Sequence, residues 1–322
     1  MNFKPIIIIC GEPNSIFSEI LVKSFKKYKF KKPIVLIGSY KLISLQLKKL
    51  KLRCKINKIK NDYLLKNLKK NTVSIVDIDY NFKKPFEKIS TKSNYYISQC
   101  FKKFFQIVNS NDISGVINGP ISKSNFLKKN YKGITEYFSE KYKLKENYAM
   151  LIFNKSLSVA PITTHLPVNK ISKNLTKKSI ILKIQLISKF YRKIFLKKPR
   201  IAVCGLNPHC ENFFGISEEK KIIEPAKKYL IKKRINLKGP MPADTVFLKE
   251  NLKKFDVVVG MYHDQVLAPI KSIHGFNAIN ITLGLPFLRI SPDHGPNTSM
   301  LGKNRSNPES LIEAIKFLDK LK

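Results

Sequence analysis

The chain has no apolar segment approaching the roughly 20 residues that a membrane-spanning helix requires. Its 322 residues are 43% hydrophobic, which is enough to build the core of one large or two smaller α/β domains. The isoleucine run that begins at Ile6 is short for a signal peptide, and no small-residue cleavage site follows it. We therefore expect a cytoplasmic protein with no membrane partner, and we interpret this run as the first strand.

Paired cysteines are also missing. The five cysteines are scattered along the chain, and none belongs to a CxxC motif. This distribution is typical of a reducing compartment. Cys210 stands next to a histidine and could contact a metal, although simple packing is the commoner use of such a residue.

Acidic residues are few: 22 Asp and Glu accompany 61 Lys and Arg, which gives a net charge of +39. Such a charge suits a protein that binds nucleic acid or an anionic membrane. The lysines are spread over almost every predicted helix, however, and the sequence has no zinc finger, no RNA-binding aromatic signature and no helix-turn-helix pattern. We therefore expect no nucleic-acid partner, and we expect the charge to speed the capture of anionic substrates.

The glycine-rich loops that hold nucleotides in common folds are absent. A single glycine, Gly11, follows the first predicted strand, where the Rossmann fingerprint needs several. Gly295 and Gly302 do not have the spacing of a P-loop, and the GxSxG and HExxH motifs do not occur. A dinucleotide would have to be held in another way, and the sequence assigns it no contact residues.

Strand-like and helix-like segments alternate along the chain. Short β-branched runs, such as residues 33–38, 73–77 and 201–204, are separated by amphipathic segments such as residues 176–195. This alternation predicts an α/β protein with a mostly parallel, doubly wound sheet. The pattern between residues 149 and 164 favours some antiparallel pairing.

Three of the five histidines each follow a separate strand-like run: His165, His209 and His263. Ligands of α/β sheets usually bind at the carboxyl edge of the strands. We therefore predict that these three imidazoles converge on one divalent metal. The alternative for each histidine taken alone is a hydrogen-bonded structural role, and the spacing matches no compact zinc signature.

Seven polar strings lie between about residues 118 and 295, most of them directly after predicted strands. They are Asn-Gly-Pro-Ile-Ser-Lys at 118–123, Gly-Ile-Thr-Glu at 133–136, Thr-Thr-His-Leu-Pro at 163–167, Gly-Leu-Asn-Pro-His at 205–209, Gly-Pro-Met-Pro-Ala-Asp-Thr at 239–245, Tyr-His-Asp-Gln at 262–265, and the stretch 282–295 that ends in Pro-Asp-His-Gly. At these residues the chain resembles the 4-hydroxythreonine-4-phosphate dehydrogenase family of vitamin B6 biosynthesis. Each string is weak alone, but the set, in the family's order, is highly specific.

The resemblance implies the NAD- or NADP-dependent oxidative decarboxylation of 4-phosphooxy-L-threonine to 3-amino-2-oxopropyl phosphate, in pyridoxal 5'-phosphate biosynthesis. It also implies a two-domain α/β/α fold like that of the isocitrate and isopropylmalate dehydrogenases. The family works as a homodimer with a shared active site. We place the first domain at residues 1–131 plus 296–322, and the second, which carries the metal and substrate motifs, at residues 132–295.

The resemblance also assigns roles to individual residues. One metal ligand would come from the partner subunit, and the ligands are His165, His209 and His263. The substrate contacts are Thr135, Lys271, Asn280 and Arg289. Three neutral imidazoles suit zinc, with magnesium and cobalt as alternatives, and the ion would polarise the reacting oxygen. Lys271 and Arg289 would pair with phosphate or carboxylate.

Two carboxylates and one lysine complete the set of catalytic candidates: Asp244, Asp264 and Lys271. Either carboxylate could orient a ligating imidazole or move a proton. The alternative for Asp244 is a plain helix cap.

The chain departs from the family pattern at three places. Ile134 stands where the family has a histidine, and the loss of that polar contact could cost about 1–3 kcal/mol in substrate binding. The loop at 210–215 and the stretch after Gly295, a candidate dinucleotide loop, also differ. Three alternatives stay open: a related dehydrogenase of phosphorylated threonate or erythronate, a basic nucleic-acid-binding protein, and a relative that folds without turning over substrate.

Overall fold

The computed structural model describes residues 4–59, 68–110, 112–127, 131, 133–211, 215, 217–275, 277–292 and 294–321. The chain divides into two compact units. The first comprises Met1–Ile134 and Phe287–Lys322, and the second comprises Thr135–Pro286. This division assigns residues 287–295 to the first unit, whereas the sequence interpretation placed them in the second.

The strands within the described residues are short, mostly four or five residues each. In chain order they are β1 (Ile6–Ile9), β2 (Ile34–Gly38), β3 (Asn57–Ile59), β4 (Val73–Asp77), β5 (Gly115–Asn118), β6 (Ala149–Phe153), β7 (Ser158–Pro161), β8 (Ile201–Cys204), β9 (Leu237–Met241), β10 (Val257–Gly260), β11 (Ile279–Leu283) and β12 (Arg289–Pro292).

The α-helices of the described part of the chain range from one turn to five. They are α1 (Phe17–Lys27), α2 (Tyr40–Lys49), α3 (Lys92–Ser110), α4 (Ile134–Lys141), α5 (Ile171–Asn174), α6 (Lys177–Phe195), α7 (Glu224–Lys232), α8 (Ala243–Val246), α9 (Lys249–Leu252), α10 (His263–His274) and α11 (Glu309–Asp319). Across these ranges, no helix combines the length and the apolar character that crossing a membrane would take.

The sheet of the first unit is entirely parallel, in the order β3-β4-β2-β1-β5-β12. Its central strand β1 consists of four fully buried isoleucines. A strand buried on both faces is typical of a parallel sheet whose crossover helices cover it. In agreement, α3 contacts β1 and β2, and α11 contacts β1, β5 and β12.

The sheet of the second unit is mixed, in the order β11-β6-β7-β10-β8-β9. Strands β7, β10, β8 and β9 pair in parallel, whereas β6 runs antiparallel to both β7 and β11. The core on one side of this sheet includes Val159, Ala202 and Val258 from the strands and Val246 and Val266 from α8 and α10.

The predicted α/β fold with mostly parallel strands is confirmed, and so is the antiparallel pairing between residues 149 and 164. The long amphipathic segment at 176–195 forms α6 within one residue of its predicted start. Two strands were missed, β9 and β12. Strand β9 contains Gly239 and Pro240 and is only partly buried, and β12 begins with the charged residue Arg289, so neither shows a β-branched hydrophobic run.

Candidate active site

Three neighbouring parallel strands, β7, β10 and β8, carry the three predicted metal ligands just beyond their carboxyl ends. His165 follows β7, His263 follows β10 and begins α10, and His209 follows β8. Strand β10 pairs in parallel with β7 on one side and with β8 on the other. Because carboxyl ends of parallel strands meet at one edge of a sheet, all three histidines lie along the same edge of the second unit.

The structure brings two of these imidazoles together. The ring centroids of His165 and His263 are 5.9 Å apart, and the rings are inclined by 37°. Backbone hydrogen bonds hold the two segments side by side, from Ile162 N to the Gly260 carbonyl at 2.8 Å and from Thr163 N to the Met261 carbonyl at 3.1 Å. The pairing of β7 with β10 therefore continues beyond the strands and sets the distance between the rings.

His209 is presented differently. It lies on the short turn Pro208–Cys210, in the left-handed region with φ of 54°, and its side chain is 62% exposed. In the portion of the chain that is described, no three histidine, cysteine or acidic side chains are grouped closely enough to hold an ion. A single chain therefore brings His165 and His263 together but does not add His209 to them.

Each of the three rings has a carboxylate beside its Nδ1 atom. Asp264 Oδ1 lies 2.6 Å from His263 Nδ1, Glu136 Oε1 lies 3.5 Å from His165 Nδ1, and Asp244 Oδ2 lies 3.9 Å from His209 Nδ1. Histidines that ligate metals usually donate the opposite ring N–H to such a group, which leaves Nε2 for the ion. Of these three contacts only that of His263 is a hydrogen bond, and imidazole nitrogen is a ligand that divalent cations such as zinc prefer.

The alternative role of Asp244 as a helix cap is not observed. Helix α8 begins after Pro242, and no side chain caps it. Asp244 lies inside the first turn, where it faces His209. Asp264 occupies the first turn of α10, beside His263. Both acids thus lie where an orienting role would place them.

Gln265 and Glu219 hold the loops at this edge of the sheet. The sequence interpretation singled out neither of these side chains. Gln265 donates to the Gly205 carbonyl at 2.8 Å and accepts from Met261 N–H at 2.7 Å, which connects the ends of β8 and β10. The Glu219 carboxylate accepts the backbone N–H groups of Leu206 and Asn207 at 2.7 and 2.9 Å. Gln265 belongs to the Tyr-His-Asp-Gln string, so its motif was visible although its role was not.

The predicted substrate contacts Thr135, Asn280 and Lys271 belong to the second unit. Thr135 is buried on α4, and its hydroxyl lies 3.4 Å from that of Thr282. Asn280 is two residues before Thr282 on β11, so both side chains face the same side of the strand. The Asn280 Oδ1 atom is buried and has no hydrogen-bond partner among the described residues. Lys271 is exposed on α10, about 12 Å along the helix axis from His263.

The fourth predicted contact, Arg289, belongs to the first unit. It is fully buried at the start of β12, where its Nε donates to Asn118 Oδ1 at 2.8 Å. Asn118 ends β5 and also donates to Ser291 Oγ at 3.3 Å. A motif residue from the 118–123 string therefore fixes the guanidinium of a second motif residue.

Several further candidates can be located. Burial raises the pKa of the Cys210 thiol, and the charges of Glu219 and Asp244 add to this effect. Ile134 is the first residue of α4. Residues 212–214 of the altered loop, together with Asp293, lie outside the described residues.

The two segments considered for a dinucleotide meet in the first unit. Ile16 N–H, just after the turn that follows β1, donates to the Pro296 carbonyl at 3.2 Å. Gly11, with φ of 73°, begins this turn, and a Cβ atom there would lie only 2.4 Å from the Pro120 carbonyl oxygen. The glycine is therefore required by close packing of the backbone.

Comparison with known proteins gives consistent matches along nearly the whole chain. The family model described as "Pyridoxal phosphate biosynthetic protein PdxA" matches residues 29–318. A 4-hydroxythreonine-4-phosphate dehydrogenase from Sulfurihydrogenibium sp. is 37% identical over 322 residues, which cover 98% of this chain and 97% of that protein. A D-threonate 4-phosphate dehydrogenase from Salmonella typhimurium is 29% identical over 324 residues and 98% of each chain. The crystal structure of 4-hydroxythreonine-4-phosphate dehydrogenase from Klebsiella pneumoniae has a TM-score of 0.84 at 27% identity, covering 99% of this chain and 97% of that one.

Replacing Gln265 with leucine tests the connection between the two loops. The substitution leaves Met261 N–H and the Gly205 carbonyl buried without partners, so we expect the free energy of unfolding to fall by about 1–3 kcal/mol. Urea denaturation followed by circular dichroism measures the change. The matched control is Ser272→Ala, at an exposed position of the same helix, which should change stability by less than about 0.5 kcal/mol. A Gln265→Leu protein as stable as the control would show that the bridge contributes nothing.

Proposed function

The chain belongs to the family of the pyridoxal phosphate biosynthetic protein PdxA, a family of dehydrogenases, and we propose that it oxidises and decarboxylates 4-phosphooxy-L-threonine with NAD or NADP. The product would be 3-amino-2-oxopropyl phosphate.

The observation that supports this proposal best is the alignment of His165, His263 and His209 along one sheet edge, each with a carboxylate beside Nδ1. Their Nε2 atoms would hold a divalent ion, with zinc preferred to magnesium or cobalt. When bound, the ion acts as a Lewis acid that polarises the reacting oxygen of the substrate.

The side chains of the protein provide binding and proton transfer. Asn280 has a buried carbonyl oxygen that can accept from the substrate amine or hydroxyl, and Thr135 lies on the neighbouring helix. Lys271 and Arg289 would bind the phosphate and carboxylate groups, and an arginine can make a planar two-point contact.

A bound nicotinamide would supply the hydride acceptor, and oxidation of the substrate would leave its hydroxyl proton for a base. Asp244, Asp264 and Lys271 are the candidates for accepting that proton. The resulting ketone is β to the carboxylate, so loss of CO2 places an electron pair on the carbon between them, and that carbon must then be protonated. The same three side chains are the candidates for supplying this second proton.

We propose that His209 completes the metal site from the partner subunit of a homodimer. His209 and its neighbour Asp244 are 62% and 58% exposed, whereas His165 and His263 are 31% and 35% exposed. An exposed imidazole backed by a carboxylate suits a ligand offered to another subunit. We further propose that the enzyme works in the cytoplasm, where its charge of +39 attracts its anionic substrate.

Metal analysis of the purified protein beside His209→Ala tests this proposal. We expect the wild type to contain about one divalent ion per chain and to produce NADH or NADPH from 4-phosphooxy-L-threonine. The variant should lose both the ion and the activity while keeping its circular dichroism spectrum. The control is His274→Ala, because His274 contacts Ser156 at 3.1 Å and is not among the predicted ligands. Metal retained by His209→Ala would remove this residue from the site.

A second candidate function is the oxidation of phosphorylated threonate or erythronate, which the relative from Salmonella typhimurium favours by its name. These substrates lack the amine. If Asn280 accepts from that amine, kcat/KM should be at least about tenfold higher for 4-phosphooxy-L-threonine, equivalent to about 1.4 kcal/mol. Steady-state assays with both compounds measure the ratio. A higher kcat/KM for phosphorylated threonate or erythronate would favour the second function. If neither compound is turned over, the chain is a relative that has lost activity, and Ile134 is the first residue to test by substitution.

A further inference from the structure

The loop that follows β12 is tied to helix α1 by two charged side chains that have no assigned role. We infer that Glu19 and Lys23 are positioning residues for the dinucleotide, and that they act by holding loop 297–305. This inference rests on the proposed function, because the dinucleotide is the NAD or NADP of that reaction. The two side chains and the loop belong to the first unit, whereas the proposed metal ligands belong to the second.

The end of the loop is held against α1 by hydrogen bonds to its backbone. Glu19 Oε1 accepts the N–H of Ser306 at 2.6 Å and the Lys23 ammonium at 2.7 Å. The same ammonium donates to the Asn304 carbonyl at 3.0 Å and to the Ser306 carbonyl at 3.1 Å. Glu19 and Lys23 are one helical turn apart, so they lie on the same side of α1. Together they bind one N–H group and two carbonyl groups of a three-residue segment.

The beginning of the loop is attached as well. The Pro296 carbonyl accepts the N–H of Ile16, the residue just before α1, at 3.2 Å. Asn297 lies in the left-handed region with φ of 46°, and its carbonyl accepts the N–H of Met300 at 3.1 Å, which closes a tight turn. The loop therefore leaves α1 at one point and returns to it at another, and both attachments are made by backbone groups of the loop.

The loop lies where a ligand of an open α/β sheet is expected. From β1 the chain continues to β2 on one side of the sheet, whereas β12 is the neighbour of β5 on the other side. Ligands of such sheets bind beyond the carboxyl ends of the strands at which this direction changes. The turn after β1 is closed there, because Glu12 N–H donates to the Pro120 carbonyl at 2.8 Å and Glu12, Asn14 and Ser15 are buried. The loop after β12, in contrast, is mostly exposed.

The side chains of the loop suit the phosphate groups of a dinucleotide. Its exposed polar residues are neutral donors and cations: Asn297, Thr298, Ser299, Lys303, Asn304 and Arg305. The sequence has no acidic residue between positions 294 and 306. Lysine and arginine bind phosphate oxygens through charge-assisted hydrogen bonds, and hydroxyl and amide groups add neutral ones. The donor set therefore fits a pyrophosphate or a ribose phosphate, and a fixed backbone would present it in one arrangement.

A positioning role and a purely structural role lead to different expectations for this pair. Glu19 is buried, and its Oε2 atom has no hydrogen-bond partner within the described part of the chain. If the pair is only structural, its loss changes stability and leaves dinucleotide binding as it is. If it positions the loop, its loss lets the loop leave the binding conformation, and the apparent affinity falls with the fraction of chains that remain competent. The KM of the phosphorylated substrate should not change, because no predicted substrate contact lies on this loop.

Lys23→Met tests the inference on the full, zinc-loaded chain. The variant keeps the apolar stem but loses the bonds of the ammonium. We expect NADH and NADPH to bind about tenfold more weakly, as they would to a loop that is in place about a tenth of the time. Titration followed by the fluorescence of the reduced dinucleotide measures the affinity. In turnover the KM of the dinucleotide should rise likewise, while that of 4-phosphooxy-L-threonine stays within about twofold. Lys23→Arg should restore most of the affinity, and Lys26→Met, at an exposed position of the same helix, should bind as the wild type does.

Two further variants complete the test. Glu19→Gln loses the ion pair but keeps an acceptor for Ser306 N–H, so it should also weaken dinucleotide binding, and it replaces Lys23→Met if that protein does not fold. The double variant Lys303→Ala/Arg305→Ala removes the cations of the loop and should weaken binding at least about fivefold. Wild-type affinity in either protein, or a Lys23→Met protein that is less stable but binds both dinucleotides normally, would overturn the inference. A wild-type chain that binds NADH or NADPH without oxidising 4-phosphooxy-L-threonine would overturn the proposed function instead.

Discussion

The parallel pairing of β10 with β7 on one side and β8 on the other is the constraint on which the site depends. Strands in a sheet are about 4.8 Å apart, so residues that closely follow adjacent strands are brought near each other, as the 5.9 Å between the ring centroids of His165 and His263 shows. The hydrophobic effect that buries Val159 and Val258 therefore also determines where His165 and His263 lie, whereas His209 lies on an exposed turn beyond β8. The site is positioned by the core and adjusted by its loops.

Buried polar groups hold the loops that carry the histidines. Such groups are costly to bury unless they are hydrogen-bonded. Gln265 and Glu219 satisfy backbone N–H and carbonyl groups of the loops after β8 and β10, and in doing so they fix the chain on either side of the histidines. Glu136 differs because one of its oxygens is left without a hydrogen bond among the described residues.

Much of this could be predicted from the sequence where the signal is local. A β-branched run ending in a histidine identifies both a strand and a candidate ligand, and the order of the seven strings identifies the family. Contacts between distant segments could not be predicted: nothing local relates Gln265 to the Gly205 carbonyl, which lies 60 positions earlier in the chain. Strand β12 was missed because its first residue is charged, and Arg289 is buried by a partner, Asn118, far away in the sequence.

In the proposed site three neutral imidazoles, and no thiolate, would surround a single ion. X-ray absorption at the zinc edge of the zinc-loaded protein tests it most directly. We expect nitrogen neighbours at about 2.0–2.1 Å with the multiple scattering of three imidazole rings, and no sulfur neighbour at about 2.3 Å. A sulfur shell, which would identify Cys210 as a ligand, or fewer than three imidazoles on the ion, would contradict it.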